Sequence, residues 1–141
     1  MHELHHEIQI SAPPQTVYEA ITSQKGIRSW WTRDSVVQPR VGSVAELGFN
    51  NRALILRMRI DELRPQKRVM WYCLGDDEEW KDTRLMWDIS EKDGATILHL
   101  LHAYWRSPGS TFAMSNSQWG ELMHRLKDYV EGRNPGPRWK K

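Results

Sequence analysis

Between residues 43 and 105 the chain swings from apolar to polar at nearly every second residue, and a period of two can be buried only as sheet. In 53–63, Leu54, Leu56, Met58 and Ile60 alternate with Ile55, Arg57, Arg59 and Asp61. One face is wholly apolar and the other largely charged, which predicts a half-buried antiparallel strand. Val44 to Phe49 precedes it across Asn50-Asn51, residues that tolerate the left-handed backbone of a hairpin turn. Val69 to Leu74, Asp82 to Ser90 and Ala95 to Trp105 follow. Pro65-Gln66-Lys67, the acidic run Asp76 to Glu79 and Lys92-Asp93-Gly94 separate them. Five such strands in a meander leave one apolar face that needs a cover.

The only long cover follows Ser107-Pro108-Gly109-Ser110. Phe112, Trp119, Leu122, Met123, Leu126, Tyr129 and Val130 recur at three- and four-residue intervals, predicting an amphipathic helix of about 20 residues that ends at Gly132. Ahead of the meander, 4–10 reads as a first strand. A short helix over 13–22 carries Val17, Ala20 and Ile21, and a second over 24–30 carries Ile27 and Trp30. Asp34 to Gly42 reads as an extended connection. The expected architecture is α+β: residues 1–132 as one domain, with a six-stranded curved antiparallel sheet, two short helices and a long C-terminal helix. Residues 133–141 read as a loose basic tail.

Composition removes several function classes. Twenty Lys and Arg against 18 Asp and Glu leave a net charge of +2, without the basic excess of a nucleic-acid binder. No apolar run approaches the ~20 residues of a membrane helix. The N-terminal residues show no signal-peptide pattern, so a cytoplasmic protein is expected. One cysteine, Cys73, allows no internal disulfide, and with no positive charge nearby in sequence it reads as a buried structural thiol. Eight tryptophans are more than stability requires of 141 residues. They can fill a core or wall a cavity.

Several segments carry a resemblance over nearly the whole chain. They are Ile10-Ser11-Ala12-Pro13 with Val17-Tyr18-Glu19-Ala20-Ile21, then Trp30-Trp31, Glu79-Trp80-Lys81-Asp82-Thr83-Arg84, Leu100-Leu101-His102-Ala103-Tyr104-Trp105, and the helical stretch from Trp119 to Gly132. In this order and spacing they resemble the START-like superfamily, also called SRPBCC or birch-pollen-allergen-like. Within it, they are most similar to the branch named for the C-terminal domain of the heat-shock-protein-90 ATPase activator. Asp82 stands where relatives often carry glycine. The resemblance implies a helix-grip fold with a cavity between the sheet and the last helix, in a superfamily that includes lipid and hormone binders and aromatic polyketide cyclases.

On that reading Leu56, Met58, Trp71, Trp87 and Leu100 line the interior, with Trp30 and Trp31 near its mouth. Met114, Gln118 and Trp119 project from the final helix. His102, Tyr104 and Gln118 are the polar groups placed to orient a ligand. Apolar walls with few polar groups suit a small hydrophobic or aromatic molecule. His99 and His102, three apart on a strand, point to opposite faces and cannot share a metal. His2, His5 and His6 sit on a terminus too loose for a good site. The acidic run lacks the alternating ligands and bend glycine of a calcium loop. No nucleotide loop or nucleophile elbow occurs, so neither metal nor cofactor is expected. The leading expectation is a ligand-binding domain. The alternatives are a cyclase- or hydratase-like enzyme and a chaperone-linked interaction module. Exposed tryptophans would also suit a homodimer.

Overall fold

The computed structural model describes residues 2–141. Its elements run β1 (His2–Ile10), α1 (Pro14–Thr22), α2 (Gln24–Trp30), β2 (Ser35–Val36), β3 (Val44–Phe49), β4 (Leu54–Arg64), β5 (Arg68–Cys73), β6 (Arg84–Lys92), β7 (Ala95–Trp105) and α3 (Ser110–Val130). The strands form one antiparallel sheet in the order β1-β7-β6-β5-β4-β3-β2. It has seven strands where six were expected. The addition is β2, inside the segment read as a connection, where Ser35 and Val36 pair with Leu47 and Glu46. Two residues are too few to show a period.

The inner face follows the alternation. Cross-strand neighbours Met58 and Cys73, Ile60 and Trp71, Val69 and Trp87, and Trp87 and Leu100 are all buried. Packed on this face, α3 presents Ser115, Trp119, Leu122, Met123 and Leu126, a single stripe at helical spacing. Its C-terminal end is tied to the start of α1. The Glu131 carboxylate accepts from the Ser11 N–H (2.7 Å) and from Lys127 (2.8 Å), and it also pairs with Arg133. These bonds, Lys127's first, hold the Glu131 carboxyl down at about 2.

The two short helices meet at one carbonyl. Trp30 Nε1–H donates to the Ala20 oxygen at 2.9 Å. A Cβ on Gly26 would lie 2.5 Å from the same oxygen, so only glycine lets α2 approach α1 this closely.

Two residues with positive φ redirect the sheet. Asp82 (φ 68°) leads into β6 in the left-handed region, which accounts for glycine being suited to that place; its carboxylate accepts from Tyr72 Oη–H at 2.7 Å. Tyr104 (φ 70°) lies where the β1–β7 register slips between His2 and Leu4. The bulge breaks the alternation: Leu98, Leu100 and His102 face in, Tyr104 turns out, and Trp105 takes the inner place.

The tail also departs from expectation. Arg125 donates to the Pro135 and Gly136 carbonyls (3.0 and 2.8 Å), and Arg138 pairs with Glu121. Trp139 bridges to Thr32, its N–H reaching the Trp31 oxygen (3.0 Å) while its own oxygen accepts from Arg33 N–H (3.0 Å). Residues 133–141 therefore lie against the domain rather than loose.

Candidate functional site

The interior between sheet and helix is largely filled. Trp30, Trp31, Trp71, Trp80, Trp87, Trp105 and Trp119 are all buried. Trp31 stacks between Trp30 and Trp71 at centroid distances of 5.5 and 6.3 Å, and meets Trp119 edge-to-face at 5.1 Å. Trp87 is ringed edge-to-face by Trp30, Trp71 and Trp119. The indole N–H groups of Trp71 and Trp87 have no hydrogen-bond partner among the described residues. Aromatic rings are their neighbours, edge-to-face around Trp87 and both stacked and edge-to-face at Trp71.

One buried polar chain runs through this aromatic mass. Trp119 Nε1–H, a donor only, gives its hydrogen to His102 Nδ1 at 3.1 Å. That makes Nδ1 the unprotonated nitrogen, so His102 Nε2–H donates to Thr83 Oγ1 at 2.9 Å. Thr83 Oγ1–H in turn donates to the Trp80 carbonyl at 2.6 Å. Every member is satisfied in one direction only. Burial pushes His102 down to about 3, so the imidazole is neutral. With both nitrogens engaged, His102 positions α3 against β7; it has no free nitrogen for acid–base work. Burial pushes the neighbouring Cys73 thiol up to about 12; its bond to Thr83 opposes the rise and the charge of Asp77 adds to it.

The open space lies at one end of the grip. A cleft of about 280 Å³ sits between the β3–β4 hairpin, the N-terminal half of α3, the acidic loop before β6 and the tail. Its aromatic walls are Trp31, Phe49, Trp80, Trp119 and Trp139. Phe49 and Trp139 meet edge-to-face at 5.1 Å, and Trp80 stacks on Trp119 at 6.0 Å. Leu54, Leu56, Met114 and Leu122 supply aliphatic surface, and Asn50, Asp77, Thr111, Ser115 and Gln118 the polar groups. Trp80 is fixed by its Nε1–H to Ser115 Oγ (3.2 Å). Asp77 Oδ1 accepts from the N–H groups of Glu79 (2.8 Å) and Trp80 (3.4 Å), which folds the acidic loop over the opening.

Of the residues expected to form the site, Trp31, Leu56, Met114, Gln118 and Trp119 line this cleft. Trp30, Met58, Trp71, Trp87, Leu100 and His102 are core residues behind it. Tyr104 is elsewhere: the bulge puts it on the outer face, 48% exposed, with the Arg84 guanidinium 4.2 Å from its ring centre. Sequence reasoning missed Phe49, Trp80 and Trp139. A tryptophan inside an acidic run, and another in a Pro- and Gly-rich tail, were the signals available.

The histidines separate as their spacing requires. His99 faces outward, where its Nε2 lies 3.0 Å from His5 Nδ1, flanked by Glu3 and Glu7. His6 bonds Asn116 on α3. Among the described residues no three His, Cys, Asp or Glu side chains are arranged to hold a metal ion. No helix among them is long and apolar enough to cross a membrane.

Residues 11–131 match the family described as activator of Hsp90 ATPase homolog 1-like protein. The chain belongs to this family. No curated protein matches it in sequence. Among solved structures, the Aha1 dimer from Colwellia psychrerythraea is similar at a TM-score of 0.85 and 27% identity, over 94% of this chain and 98% of that one. A Mesorhizobium loti protein aligns at 0.81 and 17% identity, over 92% and 97%. CalU16 from Micromonospora echinospora aligns at 0.78 and 20%, over 96% and 69%. The last two likenesses concern the fold alone. In this member of the activator-like family, the grip is packed with tryptophan and has a cleft at one end.

Proposed function

We propose that this domain binds a small hydrophobic or aromatic molecule in the cleft between the β3–β4 hairpin and α3. The observation that carries this reading is the cleft's construction: five aromatic side chains converge from the sheet, both neighbouring loops, α3 and the tail on a volume of about 280 Å³. That volume lies at the low edge of ligand pockets, roughly 300–1,000 Å³. It suits a one- or two-ring molecule better than a long acyl chain.

The test is binding of tryptophol, a neutral two-ring alcohol, followed by heteronuclear NMR. Shifts should cluster on Trp31, Trp80, Trp119 and Trp139. Gln118→Trp, which fills the opening from an exposed helical position, should abolish them without lowering the melting temperature. Shifts scattered over the surface, or unaffected by the filled cleft, would refute the reading.

A second reading, self-association, is favoured by one observation: the 27% identical Colwellia protein was solved as a dimer. Sedimentation equilibrium at micromolar concentration distinguishes a dimer from a monomer.

A further inference from the structure

The charges around the cleft point to a more specific ligand class than its apolar walls do, an inference that rests on the cleft being a binding site. The lining includes no Lys, Arg or His, and its one ionisable side chain is Asp77. Arg138, whose guanidinium lies 4.8 Å from the centre of the Trp139 ring, pairs with Glu121. Arg52 pairs with Asp34 and Glu46, and Arg57 with Asp76 and Glu46. Asp77 has no ion-pair partner among the described residues. Its Oδ1 takes the two backbone N–H bonds that shape the loop, while Oδ2 receives no hydrogen bond from them. Next to it stand the indoles of Trp80 and, stacked on that, Trp119, with Trp31 and Trp139 across the opening. A carboxylate beside indole rings, with no cation in the cleft's lining, is an environment that stabilises an ammonium group, through charge and through the ring quadrupoles together.

Two opposing fields are present: Lys81, which follows Trp80 on the acidic loop and forms no ion pair among the described residues, and the N-terminus of α3. The first turn of α3 reaches the cleft through Thr111, and a helix N-terminus carries about +0.5 of a charge. Asp77 supplies a full negative charge. Glu78 and Glu79, exposed on the same loop, form no ion pair among the described residues and add to the negative potential.

We infer that the cleft selects a cationic amine: a molecule with a one- or two-ring apolar body and a single ammonium, the ring among Trp31, Phe49 and Trp139 and the ammonium between Asp77 Oδ2 and the indoles of Trp80 and Trp119. Carboxylates of the same shape are rejected, because the site would have to bury a second negative charge beside Asp77.

Three isosteric probes test this: tryptamine (cationic), tryptophol (neutral) and indole acetate (anionic), titrated by isothermal calorimetry at neutral pH. Tryptamine should bind at least about tenfold more tightly than tryptophol, and indole acetate more weakly than either. Asp77→Asn keeps the Oδ1 acceptor that shapes the loop. It should bring tryptamine down to the affinity of tryptophol and leave tryptophol unchanged. Tryptophol binding as tightly as tryptamine, or tryptamine binding undiminished by Asp77→Asn, overturns the inference while leaving the cleft as a binding site. No binding of any of the three overturns both.

Discussion

Taking the protein from about pH 7.5 to about pH 5 should cost the folded state about 2 kcal/mol through His102 alone. In the unfolded chain this imidazole titrates at its ordinary value of 6.5, whereas burial holds it at about 3 in the fold. Between those values the unfolded state binds a proton that the folded state refuses, so stability falls as pH falls. The slope approaches about 1.4 kcal/mol per pH unit once pH is well below 6.5, and the loss is complete below about 3. Because the side chain is fully buried, little of this is screened by solvent. Urea unfolding followed by tryptophan fluorescence, at pH steps of half a unit, measures it. His102→Gln is the control, since Gln keeps a donor and an acceptor but gains no proton. The variant should be less stable at pH 7.5 by about 1–3 kcal/mol, from imperfect bonds to Trp119 and Thr83. Its pH dependence from 6.5 to 5 should be correspondingly flatter than that of the wild type. Parallel curves for the two proteins would mean that His102 takes up its proton as readily folded as unfolded, and the buried neutral chain would be wrong.

Three further outcomes follow from the packing. Gly26→Ala forces a methyl onto the Ala20 carbonyl and displaces the Trp30 hydrogen bond, so chemical denaturation should show a loss of about 2–4 kcal/mol. Trp139→Ala removes a wall of the cleft and uncovers Phe49; it should lower stability by about 2 kcal/mol and weaken tryptophol binding at least about tenfold, both readable in one calorimetric series. Cys73, buried and with its thiol pushed up to about 12, should react with an aromatic disulfide reagent only as fast as the protein unfolds, which stopped-flow labelling across a urea series will show.

Much of the fold was legible because its strands are half-buried. Alternation in 53–63 and the stripe from Trp119 to Leu126 are direct imprints of one wet face and one dry face. What escaped was whatever local pattern does not encode. β2 is held by pairing to β3 and is too short to alternate. Tyr104, two residues after the buried His102, would face inward on a regular strand, and its own left-handed backbone turns it out. His102 lies on the inner face, buried with Leu98 and Leu100. Its bonds to Trp119 and Thr83 depend on strand register and helix rotation, which spacing alone does not give. The cleft does not reach Met58, Trp71 and Trp87, which are buried core residues, the two indoles packed edge-to-face. Its actual walls draw on the acidic loop and the tail, segments whose composition reads as solvated until Trp80 and Trp139 are seen turned inward.

The seating of Trp139 has a practical side. Anything joined after Lys141 departs two residues from a wall of the cleft, beside the backbone pairing of Thr32 and Trp139. An affinity tag placed there starts two residues from that wall, near enough to mimic or block a ligand. Ligand searches are therefore best done with the tag at the other end or cleaved away.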